Sequence, residues 1–280
     1  PDRSPLMGVS VFDQLVPVGG TKNLRDIGGI TTPEGRVVRR GLLFRADTLH
    51  EAVVADLARL NLACVVDFRS EAEVERRPDR LDGLDLRWVN LPVDNPRSAG
   101  SNFVEKEDLP EFRVEMIQHW LNRDFEAVGR MVDELSIDIA GDRVKRYQSF
   151  ATDFAPVFAE FFAELVAAMG RPLLYHCEGG TDRTGVATAL VLGVLGVEHE
   201  AVMEDYLATN TVVADELEEL RQLAPPSLWP IIGAQEQQMQ AFLDHIDSEC
   251  GGIDSYARSR LHLTDETIAQ LRSTYLSSAQ

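Results

Sequence analysis

The stretch Leu173-Leu174-Tyr175-His176-Cys177-Glu178-Gly179-Gly180-Thr181-Asp182-Arg183-Thr184-Gly185 constrains this chain more than any other. A short apolar strand ends at His176, and an apolar helical run that continues to Val197 begins near Arg183. A loop that bends from strand to helix can turn successive backbone N–H groups inward, and the helix N-terminus adds the positive end of its dipole. Gly179 and Gly180 permit the tight turn and the close approach of backbone to a ligand. Arg183 offers a planar fork of donors to two oxygens of a tetrahedral anion. A buried structural cysteine beside a turn is the plainer reading, and it leaves the arginine, the threonine and both glycines unexplained.

Other strand-like runs are Leu42-Leu43-Phe44, Leu62-Ala63-Cys64-Val65-Val66 ending at Asp67, and the alternating Leu86 to Val93. Leu49 to Leu60 and Phe154 to Met169 carry apolar residues at helical spacing, and Gly170 follows the second as a C-cap signal. Alternation of this kind predicts an α/β fold, a small and mostly parallel central sheet flanked by helices. After residue 198 the pattern turns wholly helical: Glu198 to Thr209, Val212 to Leu223, Ile231 to Cys250, Ile253 to Leu261 and Thr264 to Tyr275. We read 198–280 as a helical C-terminal layer on the sheet, and 1–280 as a single catalytic domain. Residues 96–150 exceed an ordinary loop. Phe112, Met116, Ile117 and Trp120 share one helical face there, and Val128, Met131, Val132 and Leu135 another. This helical insertion is either a lid over a cleft or a hairpin that buttresses the core.

Composition limits the partners. The 280 residues are 44% hydrophobic and 26% charged, a globular balance, and carry a net charge of −19. That field disfavours nucleic acid and stable association with an anionic membrane, while leaving room for a local cleft that attracts an anion. The three cysteines, Cys64, Cys177 and Cys250, form no disulfide framework. No histidine or cysteine stands at metal-ligand spacing, so neither metal nor cofactor is expected. With no signal-peptide pattern in view, the expected setting is cytoplasmic, and export by a signal-less route stays open.

A cysteine at the base of such a loop sits where every local feature favours the thiolate. Facing a bound phosphate, it can attack phosphorus in line and form a phosphocysteine for water to hydrolyse. Thr184 can donate to the sulfur and improve it as a leaving group. Asp182, inside the loop, is the nearest carboxyl to protonate the departing oxygen. The candidate catalytic residues are therefore Cys177, Asp182, Arg183 and Thr184, with Glu178, Gly179, Gly180, Thr181, Asp182 and Arg183 cradling the phosphate.

The His-Cys-x5-Arg-Thr string resembles the signature of cysteine-dependent tyrosine phosphatases, and its fuller form resembles the bacterial tyrosine/serine enzymes of dual or triple specificity, the mycobacterial PtpB-like group. Asn23-Leu24-Arg25-Asp26-Ile27-Gly28-Gly29, Leu43-Phe44-Arg45-Ala46, Val65-Val66-Asp67-Phe68-Arg69-Ser70 and Glu204-Asp205-Tyr206-Leu207-Ala208-Thr209-Asn210 are similar to further blocks of that family. The resemblance implies the cysteine-phosphatase fold, a mobile lid for 96–150 and phosphorylated proteins or peptides as substrates. The family usually has Lys-Asp-Arg in the loop, whereas Thr181 stands at the lysine position. That weakens the alternative of a phosphoinositide substrate. The Asp-Arg-Thr order nevertheless resembles myotubularin-like and Sac-type phosphoinositide phosphatases, whose loop aspartate is the proposed acid.

Asp94 and Asp153 compete with Asp182 as the acid, because eukaryotic-type enzymes carry theirs on a separate loop. Asp67 and Arg69 follow a strand and either line the cleft or form a structural ion pair. Arg25 and Asp26 either line the cleft or pin a turn. Cys64 either packs in its strand or bridges Cys177 as a protecting disulfide. Cys250 is read as inert. Outside phosphate hydrolysis, a rhodanese-like sulfurtransferase and a non-catalytic phosphate-binding protein are the alternatives. The Asp182-Arg183-Thr184 order disfavours the first, and the intact cysteine the second.

Overall fold

The structure, a computed structural model, describes residues 9–94 and 110–278. Five strands, β1 (Arg25–Asp26), β2 (Leu43–Ala46), β3 (Cys64–Asp67), β4 (Arg87–Asn90) and β5 (Leu173–His176), form one sheet in the order β1-β2-β5-β3-β4. β1 pairs antiparallel with β2, and every other pairing is parallel. β5 is thus the central strand, and its C-terminal end opens into the Cys177 loop. The β3–β5 register sets Asp67 beside His176, so the residues that follow both strands share one edge of the sheet, where ligands bind in open α/β folds.

The sheet is buried on both faces along β1, β2, β3 and β5, as parallel sheets are, while the edge strand β4 is partly exposed. Alternation along β5 sorts the side chains. Leu173 and Tyr175 join the larger core with Cys64, Val66, Phe158, Phe161 and Leu190. Leu174 joins Val65, Phe44 and Leu57 on the smaller side. The short helices α1 (Val11–Gln14), α2 (Val54–Leu57) and α3 (Glu71–Arg76) lie among the first four strands. The apolar spacing of Leu49 to Leu60 yields less helix than it predicts: four residues of α2 and a 3-10 turn, Ala58–Leu60, closed by Asn61 at φ 49°.

Helices α4 (Pro110–Leu121), α5 (Phe125–Glu134), α6 (Ile139–Thr152) and α7 (Ala155–Ala168) join β4 to β5. α7 ends with Met169 in the left-handed region, followed by Gly170. Residues 95–109, which include the start of the insertion, lie outside the described residues. The rest of the insertion divides in two. Met116, Phe125, Val128 and Val132 pack with Leu217, Leu228 and Ile232 into a satellite cluster, whereas α6 inserts Tyr147 and Phe150 into the main core. Leu135, expected on a packed face, is exposed.

After β5 come α8 (Asp182–Val194), α9 (His199–Val212), α10 (Ala214–Leu223), α11 (Glu236–Cys250), α12 (Ile253–Ser259) and α13 (Asp265–Tyr275). α8 is buried from Arg183 to Val194, as a helix apolar on all sides must be. The helix expected from Ile231 begins instead at Glu236, because a proline-containing 3-10 turn, Pro226–Ile231, occupies the approach. Thr264 caps α13, its side chain accepting from the amide of Thr267. No described helix is long and apolar enough to cross a membrane.

Candidate active site

Cys177 is buried at the bottom of the loop, one residue beyond the central strand. The carbonyls of the loop are held outward. Asn23 Nδ2 donates to Gly180 O at 3.2 Å and to Gly179 O at 3.4 Å. Arg45 Nη2 donates to Gly180 O at 2.8 Å, and the Thr48 amide to Glu178 O at 2.9 Å. With their carbonyls engaged behind, the amides from Glu178 to Thr184 find no backbone acceptor among the described residues. Such a run of N–H groups ending at the start of α8 is an anion nest. Gly180, at φ 65°, could not be replaced: a Cβ there would stand 2.5 Å from Ala46 O.

Arg183 is buried and held flat against Glu73, Nη1 to Oε2 at 2.7 Å and Nη2 to Oε1 at 2.8 Å. Burial alone would raise the Glu73 carboxyl, but Arg183 and Ser70 draw it down to about 2. Arg183 in turn holds its proton more tightly, against burial, under the influence of Glu73, Cys177 and Asp182. Glu73 was not singled out from the sequence, although Ser70-x-x-Glu73 is a visible capping box. Its carboxylate accepts from the Ser70 amide at 2.9 Å and so starts α3 while clamping Arg183. Thr184 Oγ1 is buried without a partner, free to donate toward the cysteine sulfur.

Asp182 begins α8 and is met by α6. Arg143 Nη2 lies 2.6 Å from its Oδ1, and the Tyr147 hydroxyl donates to the same oxygen at 2.6 Å. Tyr206 OH lies 2.7 Å from Tyr147 OH and accepts from the Gln235 amide at 3.3 Å. Burial pushes the Asp182 carboxyl up, but Arg143, Tyr147 and Arg146 outweigh it and leave it below the usual carboxylate range. Asp94 follows β4 and lies in the field of Arg146. Asp153 caps the far end of α6, exposed, and accepts from Thr152 Oγ1 at 3.1 Å.

Of the two readings for Asp67 and Arg69, the contacts favour the ion pair. Arg69 bonds Asp67 at 2.8 Å, Asp79 at 2.7 Å and Thr48 at 2.9 Å, and lies 3.7 Å from the carboxylate of Glu178 in the loop. Asp67, Asp79 and His176 present three ligating atoms within 4.8 Å of one another. Their charge is already matched: Arg69 spans both carboxylates, and His176 Nε2 lies 2.9 Å from Asp79 Oδ2. Burial would lower the imidazole, but Asp79 and Asp67 raise it to about 9, so it is a cation. Arg25 likewise turns away from the cleft, to Asp205, Thr209 and the Asn23 side chain, and Asp26 pins a turn by accepting from the amides of Gly28 and Gly41.

Of the two readings of Cys64, packing in the core holds, and the disulfide with Cys177 fails on geometry. Cys64 is level with Leu173, four residues before Cys177, roughly 13 Å along the strand. A disulfide needs Cα atoms within about 7 Å, and all three cysteines are free.

The profile of the tyrosine phosphatase family matches residues 16–277. The chain belongs to that family, hydrolases of phosphomonoesters. A Cupriavidus necator protein named tyrosine-protein phosphatase is 32% identical over 264 residues, covering 91% of this chain and 85% of its own. The triple specificity protein phosphatase PtpB of Mycobacterium tuberculosis is 27% identical over 279 residues, covering 92% and 97%. A tyrosine-protein phosphatase of Nostoc commune is 25% identical over 128 residues, 42% of this chain and 43% of its own.

Proposed function

We propose that this tyrosine phosphatase works through a phosphocysteine on Cys177. The observation that carries the reading is the run of amides from Glu178 to Thr184, with no backbone acceptor among the described residues, above a buried cysteine. The phosphate dianion lies on those amides and on the outer edge of Arg183, which Glu73 keeps planar. Cys177 Sγ attacks phosphorus, the S–P bond forms, and the bond to the tyrosyl oxygen breaks. That oxygen leaves with a proton. Water then attacks phosphorus, inorganic phosphate departs, and the electron pair returns to sulfur, stabilised by the Thr184 hydroxyl.

We assign the proton exchange to Asp182. Arg143 and Tyr147 hold it as a carboxylate at the mouth of the loop, the form that takes a proton from the attacking water in the second step. For the first step it must carry a proton, and an entering phosphate dianion raises its affinity for one, since like charges repel. Asp94 is the competing acid; Asp153 sits exposed at the end of α6. We extend the substrate range to phosphoserine and phosphothreonine in proteins or peptides, because the M. tuberculosis relative bears the name triple specificity. Free thiols at all three cysteines suit a reducing cytoplasm.

Release of inorganic phosphate from a phosphotyrosine peptide tests the proposal. Cys177→Ser should lower kcat by at least about 10^4-fold, because the hydroxyl is a far poorer nucleophile at neutral pH. Wild-type protein that released no phosphate from phosphotyrosine, phosphoserine or phosphothreonine peptides would overturn it.

A further inference from the structure

Asp182 is approached from α6 by residues one turn apart. Arg143 and Tyr147 both touch it, and Arg146 lies between them in sequence on the same side of the helix. Arg146 is half-buried and stacks its guanidinium 5.2 Å from the centre of the Phe150 ring. Like that of Arg143, its Nε is buried and has no partner among the described residues, whereas an arginine used only for packing normally places its donors on carbonyls or in water. Asp182 and Asp94 lie within its field. Burial, and after it Arg143 and Arg183, lower its proton affinity to about 10. Three arginines, Arg143, Arg146 and Arg183, thus crowd this spot, in a protein whose overall charge is −19.

The other cations of the site are committed. Arg183 is matched by Glu73 and Arg143 by Asp182. A phosphate dianion entering the loop meets one arginine already neutralised by a carboxylate, and a loop with Thr181 in place of a basic residue. We propose that Arg146 is the second phosphate-binding cation of this enzyme, donating from α6 to the non-bridging oxygens of the scissile phosphate. The inference rests on the Cys177 loop being the phosphate site. In this chain the helix of the insertion then supplies the charge that the loop itself lacks, and substrate binding depends on α6 being docked.

Binding of inorganic phosphate, measured by titration calorimetry at low salt, tests this without relying on turnover. Arg146→Met should weaken phosphate at least about tenfold, in line with the loss of one charge-assisted contact. Raising the salt should shrink the difference, and Arg146→Lys should recover part of the affinity. Adding Thr181→Lys to Arg146→Met should also recover affinity, because it returns a cation to the same anion from the loop side. Phosphate affinity within twofold of wild type in Arg146→Met, or a tenfold loss that neither lysine restores, would overturn the proposal. If Arg146→Met does not fold, the same limits apply to Arg146→Gln. Wild-type protein that binds phosphate through Arg146 yet hydrolyses no phosphoester would instead sink the catalytic reading alone.

Discussion

The loop is gripped by two clusters of the same composition, each with two arginines around one aspartate. Beneath it, Arg25 and Arg45 share Asp205; beside it, Arg143 and Arg146 surround Asp182. In the lower cluster the surplus positive charge is absorbed by neutral oxygens of the protein. Arg25 donates to Asp205 O at 2.9 Å and to Thr209 Oγ1 at 3.2 Å, and Arg45 donates to Gly180 O at 2.8 Å. In the upper cluster Arg143 reaches Gln238 at 3.3 Å, and Arg146 Nε has no partner among the described residues. The lower cluster is closed by protein oxygens except at Arg45 Nε; in our proposal an anion closes the other. A closed cluster stores its energy in the fold, and an open one holds it for binding.

Breaking each aspartate should separate the two. Asp205→Asn leaves two arginines at 0% exposure without their counter-ion, so urea denaturation should show a loss of about 3–5 kcal/mol. Asp182→Asn should cost less, about 1–3 kcal/mol, because Arg143 is buried but the Asp182 side chain is 24% exposed. Its effect should fall on catalysis, lowering kcat by about 10^2- to 10^4-fold on poor leaving groups and far less on activated aryl phosphates. Equal losses on both substrates would move the acid role to Asp94.

The contrast also marks what the sequence made legible. The strand, loop and helix around Cys177 are contiguous, so their geometry follows from local rules. The parallel sheet was visible because each buried strand is a short apolar run. The partners of the loop come from far along the chain: Glu73 reaches Arg183 across 110 positions, and Asn23 reaches Gly180 across 157. No periodicity encodes such pairs. β1, two residues long, has no alternation to read, so whether Arg25 faced cleft or core was undecidable before the strand order was known. In 96–150 the apolar spacing drew attention to faces on α4 and α5, while Arg143 and Tyr147, which meet Asp182, lie on α6. Only the Ser70-x-x-Glu73 capping box offered a local signal for a missed residue.

The closed side of the loop extends to His176, and its charge can be titrated. Its proton is bound more tightly in the folded chain, at about 9, than at its ordinary 6.5. The stabilisation is therefore complete below pH 6.5 and fades as pH rises through 9, by on the order of 3 kcal/mol. Unfolding free energy measured by urea should fall across that window, and His176→Gln should flatten the slope. A wild-type curve that stays level from pH 6.5 to 9 would show that Asp67 and Asp79 do not hold a cation there.

The smallest change probes the open cluster through one hydroxyl. Tyr147→Phe keeps the ring against Phe150 and Tyr206 but removes a donor from Asp182. Arg143 remains, so the carboxylate should climb only part of the way back toward its ordinary range. An acid that must be protonated in the free enzyme gives kcat/KM an alkaline limb, and that limb should move upward by about half a pH unit, with the rate at its plateau changed less than about threefold. Tyr206→Phe, one hydrogen bond further from the carboxylate, should move the limb less. The order Tyr147 before Tyr206 follows from the chain of hydrogen bonds; a limb that neither substitution moves belongs to some group other than Asp182.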